Sequence, residues 1–181
     1  GLDPMNDLPF VAELIDVLPD EEQWRTAIET TLAGVARTML VDRNARSRLS
    51  NSIDGVKIRP RIRYQAVTLA EHKHWSGDPD HVSGKLAFKD SPFSRWVQDR
   101  VGEDDHLCVP NAKALDGPGP RVTPSGQTRD GDRGAHGESG DGNIIGFSNE
   151  RRLADIEDLL ADLDPRITAV RERIDGVQAR L

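Results

Sequence analysis

The chain has 181 residues, of which 36 % are hydrophobic and 30 % charged, with a formal net charge of −7. That acidic excess argues against a wholesale nucleic-acid coat, and no run approaches the roughly 18 apolar residues of a membrane span. The single cysteine, Cys108, excludes an intramolecular disulfide and fits a reducing compartment.

"GLDPM" (1–5) reads as a cloning remnant, and the first residues lack the basic and apolar regions of a signal peptide. "PFVAELIDVLP" alternates Val11, Glu13, Ile15 and Val17 against Phe10, Ala12 and Leu14, the period of a strand that Pro19 stops. Asp20 with Gln23 predicts a capping box, followed by a helix whose inner face is Trp24, Ala27, Ile28, Leu32 and Val35. "TMLV" (38–41) is a short strand, and "DRNARSRLSNSIDG" a short surface helix or loop closed by Gly55. "KIRPRIRYQAV" predicts a strand that Pro60 confines to an edge or bulge. "EHKHWSGDPDHVSG" is a loop and "KLAFK" a brief strand. In "DSPFSRWVQDRVG", Ser91 caps a helix, Pro92 is its first residue and Gly102 ends it, with Phe93, Trp96, Val97 and Val101 inward. "DHLCVP" is another short strand.

Residues 111–142 hold eight glycines and three prolines among few apolar side chains, so they predict a disordered segment or mobile loop. "NIIGF" restores a strand, and Ser148 or Asn149 caps a terminal helix. In that helix Leu153, Ile156, Leu160, Leu163, Ile167, Val170, Ile174, Val177 and Leu181 recur at alternating spacings of three and four, the seam of a coiled coil. Leaving such a seam in water forgoes on the order of 10 kcal/mol. Pro165 falls on the outer side and predicts a kink or short break. The pattern is that of one arm of an antiparallel coiled coil whose partner lies upstream in a longer protein. The elements define a mixed α/β (α+β) domain over 6–148 and a coiled-coil arm stub over 149–181.

Three stretches carry a family resemblance. "ELIDV", "WRTAIETTL" and the following "TMLV" resemble the strand, helix and strand that open the hinge region of MukB-like (MksB/JetC, Wadjet-type) SMC condensin ATPases. "SPFSRWVQDRV" is similar to that family's second helix, and "RVTPSGQTRDGDR" with "IIGFSNERRLADIE" to its return into the coil. The resemblance implies a small hinge domain that joins two SMC chains as a homodimer, with ATPase heads outside this fragment. It further implies a part in DNA and chromosome organisation, chromosome segregation and plasmid restriction, in the cytoplasm at the nucleoid. No enzymatic activity is expected of the fragment.

Seven cations, Arg43, Arg46, Arg48, Lys57, Arg59, Arg61 and Arg63, face only Asp42 and Asp54 between positions 42 and 64. On a strand, Arg59, Arg61 and Arg63 would share a face at intervals of about 6.5–7 Å, close to successive phosphates of one DNA strand. Tyr64 and Trp75 could then stack on bases. The competing reading is a solvated edge whose arginines discourage strand-to-strand aggregation. His72, His74, Asp78, Asp80 and His81 are metal-ligand types at no established spacing, so no metal site is assigned. "SGKL" (83–86) lacks the first glycine and the Ser/Thr of a phosphate-binding loop, and "RDGDRG" (129–134) lacks calcium acceptors; no cofactor is expected. The alternatives to a dimerisation hinge are a DNA-binding module using the arginine cluster and, more remotely, a metal-dependent nuclease on the histidine loop.

Overall fold

The computed structural model describes residues 8–59, 61–71, 75–137, 144–146 and 150–178; within the last stretch, side chains are described at 157, 160–171, 173 and 174. The chain forms two compact units, Gly1–Phe147 and Ser148–Leu181.

In the first unit the predicted opening strand is mostly a turn. Val11, Ala12, Leu14 and Ile15 are all buried, which the two-residue period of a strand cannot achieve. The chain instead rolls through a 3-10 turn, Val11–Glu13, before strand β1, Ile15–Val17. The expected capping box at Asp20 is also absent. Pro19 opens a second 3-10 turn, Pro19–Trp24, where its fixed φ and missing N–H suit the first position. Helix α1, Arg25–Ala36, follows and buries Ala27, Ile28, Leu32 and Ala36, with Trp24 and Val35 packed at the margin.

Strand β2 (Thr38–Asp42), helix α2 (Arg46–Ile53) and strand β3 (Arg63–Val67) make a β-α-β unit. The strands run parallel, Thr38 opposite Arg63 and Asp42 opposite Val67. A parallel pair needs a crossover, and α2 lies within it. Leu40 and Val67 enter the main core, while Val41 and Ala66 meet Ala45 and Leu49 in a second, smaller cluster. The predicted strand from Lys57 therefore contracts to Arg63–Val67. Five residues of β2 supply ladder partners to only five of β3, leaving Arg59 and Arg61 outside any strand.

Strand β4, Leu86–Phe88, pairs antiparallel with β1. Helix α3, Ser94–Glu103, starts later than the expected Ser91 cap and Pro92 first position and runs past Gly102; it buries Val97 and Val101, with Phe93 at its N-cap, while the Ser91 hydroxyl accepts the Phe93 N–H at 3.3 Å in the turn before it. The largest departure from expectation is the glycine-rich stretch. Strands β5 (Leu107–Cys108), β6 (Arg121–Val122), β7 (Thr128–Asp130) and β8 (Arg133–Ala135) form a four-stranded sheet in that order. Buried Val109, Leu115 and Val122 anchor it, and Arg121 donates to the Ala114 carbonyl at 2.9 Å. Glycine here supplies turns rather than disorder: Gly126 (φ +79°) and Gly131 (φ +55°) take left-handed conformations in and between the hairpins. Residues 138–142 of the expected loop, the histidines at 72 and 74, and the proposed caps at 148 and 149 lie outside the described residues. Ile144–Gly146, expected in a strand, joins no ladder among the described residues.

The second unit is helix α4, Glu150–Gln178, which runs through Pro165 without the anticipated break. Proline costs this helix the bond to the Ala161 carbonyl, but its φ is itself helical. One turn on, the Thr168 hydroxyl donates to the Asp164 carbonyl at 3.0 Å, and Arg166 pairs with Asp162 at 3.2 Å. Of the seam, Leu160, Ile167, Val170 and Ile174 are exposed and Leu163 is half-buried; the side chains of Leu153, Ile156, Val177 and Leu181 lie outside the description.

Two glycines should respond oppositely to alanine. A Cβ at Gly84 would lie 2.1 Å from the Asp78 carbonyl oxygen, whereas one at Gly34 on α1 would meet nothing within 4 Å. We expect Gly84→Ala to lower the unfolding free energy by at least about 2 kcal/mol. Gly34→Ala should raise it by about 0.5–1 kcal/mol. Urea denaturation of both variants checks the contrast.

Candidate functional site

All seven predicted cations are exposed, but the structure distributes them differently from a single strand face. Arg43 lies in the turn after β2, Arg46 and Arg48 on α2, Lys57, Arg59 and Arg61 in the connection from α2, and Arg63 at the start of β3. The Tyr64 hydroxyl and Ser50 Oγ, 2.8 Å apart, tie β3 to α2, so the whole set belongs to one β-α-β connection. The regular 6.5–7 Å row does not form because Arg59 and Arg61 are not in the ladder. The Trp75 ring meets Phe88 edge-to-face, its centroid 5.2 Å away, so it is not an open stacking platform.

Between the cations sits an apolar row that charge counting overlooked. Val56, Ile58, Ile62 and Tyr64 are 56 %, 39 %, 41 % and 37 % exposed. Large aliphatic side chains bared together on one segment mark an interaction surface. Beside them β3 pairs only with β2 among the described residues, so its outer edge carries unpaired N–H and C=O groups. The sequence signal was present: apolar and cationic residues alternate from Val56 to Tyr64 around Pro60. A cavity of about 380 Å³ adjoins the start of this edge, lined among others by Thr31, Val35, Thr38, Arg63, Trp96 and Arg100. Its charge is largely internal, since Arg100 pairs with Glu103 at 2.8 Å and Asp104 at 3.0 Å.

The remaining described candidates make local contacts. His81 Nδ1 lies 3.3 Å from Asp78 Oδ2, and no group of three or more metal-ligating side chains forms among the described residues. Lys85, buried, donates to Glu21 Oε2 and to the Pro79 carbonyl, each at 3.0 Å, with its ammonium 5.2 Å from the Trp24 ring centroid. Burial pushes the Cys108 thiol up to about 12. No described helix is long and apolar enough to cross a membrane.

A buried charge cluster was not anticipated at all. Arg25 Nε donates to Glu22 at 2.6 Å, its Nη1 to the Ile145 carbonyl at 3.1 Å, and its Nη2 lies 3.5 Å from Asp16. Glu29, one turn on, accepts the Ile145 N–H at 2.9 Å. Burial raises the Glu29 pKa above 4.5 and outweighs the backbone N–H groups and the Arg25 and Arg37 charges that favour ionisation.

No family model matches this chain, and no curated protein does. Solved structures do. The chain is similar to the SMC hinge domain of Geobacillus stearothermophilus, solved as an asymmetric dimer, at 18 % identity and a TM-score of 0.51, covering 96 % of this chain and 74 % of that one. It is similar to the Pyrococcus furiosus Smc hinge domain with an extended coiled coil at 18 % identity and a TM-score of 0.53, over 96 % and 68 %. It also matches a structure of the folded elbow of cohesin at 15 % identity and a TM-score of 0.53, over 97 % of this chain but 28 % of that one. The fold is that of an SMC hinge domain.

Two outcomes follow from the titrating groups. Glu29 binds its proton more tightly folded than unfolded, so its contribution to stability is fullest below pH 4.5 and is lost as pH rises through the native value. Glu29→Gln keeps an acceptor for the Ile145 N–H and should flatten the stability profile on the side above pH 4.5, whereas Glu29→Ala should cost about 3 kcal/mol at neutral pH. Urea midpoints across pH check both; parallel profiles for wild type and Glu29→Gln would refute the assignment. Cys108 should react with an aromatic disulfide reagent at pH 8 at least about tenfold more slowly in the native chain than in the urea-unfolded one.

Proposed function

We propose that this SMC-hinge-like domain is a non-catalytic dimerisation hinge, joining two copies of a longer SMC-type chain. The observation that carries the reading is the exposed apolar row Val56, Ile58, Ile62 and Tyr64 beside the open edge of β3, in a domain whose hinge likeness extends over 96 % of the chain. A second copy would bury the row and complete backbone pairing that a monomer leaves to water. Helix α4 then serves as one strand of an antiparallel coiled coil, its exposed Leu160, Ile167, Val170 and Ile174 covered by an upstream arm of the same protein. The motifs that resemble MukB-like condensin hinges support placing the parent among condensins that organise DNA and restrict plasmids, within the cytoplasm.

DNA contact is a second, compatible reading, favoured by the exposure of all seven cations from Arg43 to Arg63 on one β-α-β connection. They stand in solvent on a chain of net charge −7, where acidic residues outnumber basic ones 31 to 24. Counterion release from phosphates would make such binding steeply salt-dependent.

Light scattering after size exclusion tests the first reading. We expect a dimer whose mass falls to the monomer in an Ile58→Asp/Ile62→Asp variant and is unchanged in Ile167→Asp. A monomeric wild type across the concentration series, or a dimer lost only with Ile167, would overturn hinge dimerisation through β3. For the second reading, Arg59→Ala/Arg61→Ala/Arg63→Ala should reduce the slope of log affinity against log salt by about 2–3 on duplex DNA.

A further inference from the structure

We propose that Ile144–Gly146 is a releasable strap, held shut by the Arg25 and Glu29 side chains in place of a β-strand, whose opening frees this segment while the rest of the first unit stays folded. Its backbone is held by the Ile145 N–H to Glu29 Oε1 at 2.9 Å, Arg25 Nη1 to the Ile145 carbonyl at 3.1 Å, and the Gly146 N–H to the Ala12 carbonyl at 3.1 Å. Arg25 and Glu29 stand one turn apart on α1 and offer one donor and one acceptor to the two polar groups of a single residue. That is the service a neighbouring strand gives an extended segment.

The guanidinium is held in position from behind. Glu22 takes its Nε at 2.6 Å and its Nη2 at 3.1 Å, with Asp16 3.5 Å from the same Nη2. Gly146 takes φ +150°, a backbone conformation that L side chains rarely adopt, next to the Asp16 carboxylate. The Ile145 side chain is buried in the main core and Ile144 packs against it, so the closed state is well defined.

Release requires no ladder to be broken. A strand leaves its sheet by exposing its neighbour's backbone as well as its own, which couples its opening to the rest of the domain. Here the strap's backbone partners are two side chains and one carbonyl of a 3-10 turn, so opening costs those bonds and the burial of the Ile145 side chain but no ladder, and both side chains find water or other charges when the strap departs. Glu22 and Asp16 stay beside Arg25. Helix α4 begins at Glu150, four residues after Gly146.

Native-state hydrogen exchange on the full isotope-labelled chain, followed by NMR in low urea, tests the proposal. We expect the Ile145 and Gly146 amides to exchange roughly tenfold or more faster than those of Leu40 and Ile28, with rates insensitive to sub-denaturing urea. In Arg25→Met the strap amides should lose protection almost entirely while Leu40 remains protected. Strap amides that share the Leu40 rate and its urea dependence in the wild type would overturn the proposal, and this comparison stands even if Arg25→Met fails to fold. So would an Arg25→Met chain in which Ile145 keeps its protection relative to Leu40. The measurement is independent of dimerisation, which is scored by mass.

Discussion

Helix α1 must be enclosed on most of its circumference, and the first unit is arranged to do it. Ala27, Ile28, Leu32 and Ala36 face the main core. Arg25 and Glu29 face the segment at Ile145. Thr26 and Thr30 face the β6–β7 turn, where a Cβ on Gly126 would lie 2.8 Å from Thr30 Oγ1 and 3.3 Å from Thr26 Cγ2. Gly126 thus meets two demands at once, a left-handed φ of +79° and close approach to a helix. A helix of twelve residues has little stability alone, so its formation and the closure of the later chain upon it depend on each other.

Enclosing a helix that carries an arginine and a glutamate has an electrostatic consequence. Two charges removed from water cost several kcal/mol each unless their hydrogen-bonding capacity is met. The domain meets it with Glu22 and Asp16 on one side and the backbone of Ile145 on the other. Aliphatic residues at these two positions would pack, but they would leave the Ile145 N–H and C=O without partners. The charges therefore specify which segment docks there, and they leave Glu29 more reluctant to ionise than an exposed glutamate.

Elsewhere the domain ends in unfinished surface. The β2–β3 pair is covered by α1 and α3 on one face and by α2 on the other, yet its outer edge is open and the segment leading into it bares Val56, Ile58 and Ile62. The same segment bears Lys57, Arg59 and Arg61, which keep an unpaired apolar edge soluble. Exposed apolar side chains and charge thereby share one stretch, and any partner covering the apolar residues would leave the cations at the rim of the contact.

The order of elements from β1 through β5 was legible in the sequence because periodicity, Pro19 and Gly55 report local geometry, which nearest neighbours decide. The inner face of α1 was legible for the same reason: a 3.6-residue period needs no knowledge of the partner. What required the tertiary structure was every feature whose partner is distant in the chain. Residues 111–135 look disordered by composition, yet Leu115 and Val122 are sufficient once a core exists to receive them. Arg59 and Arg61 look like strand residues, but a strand begins where its neighbour begins, and β2 starts only at Thr38, opposite Arg63. Arg25 and Glu29 look like a solvent-facing i,i+4 pair, and only the return of Ile145 from 116 positions away makes them a buried clamp. Local spacing fixes which face a residue occupies; whether that face meets water, a core or a backbone is decided by what the rest of the chain brings to it.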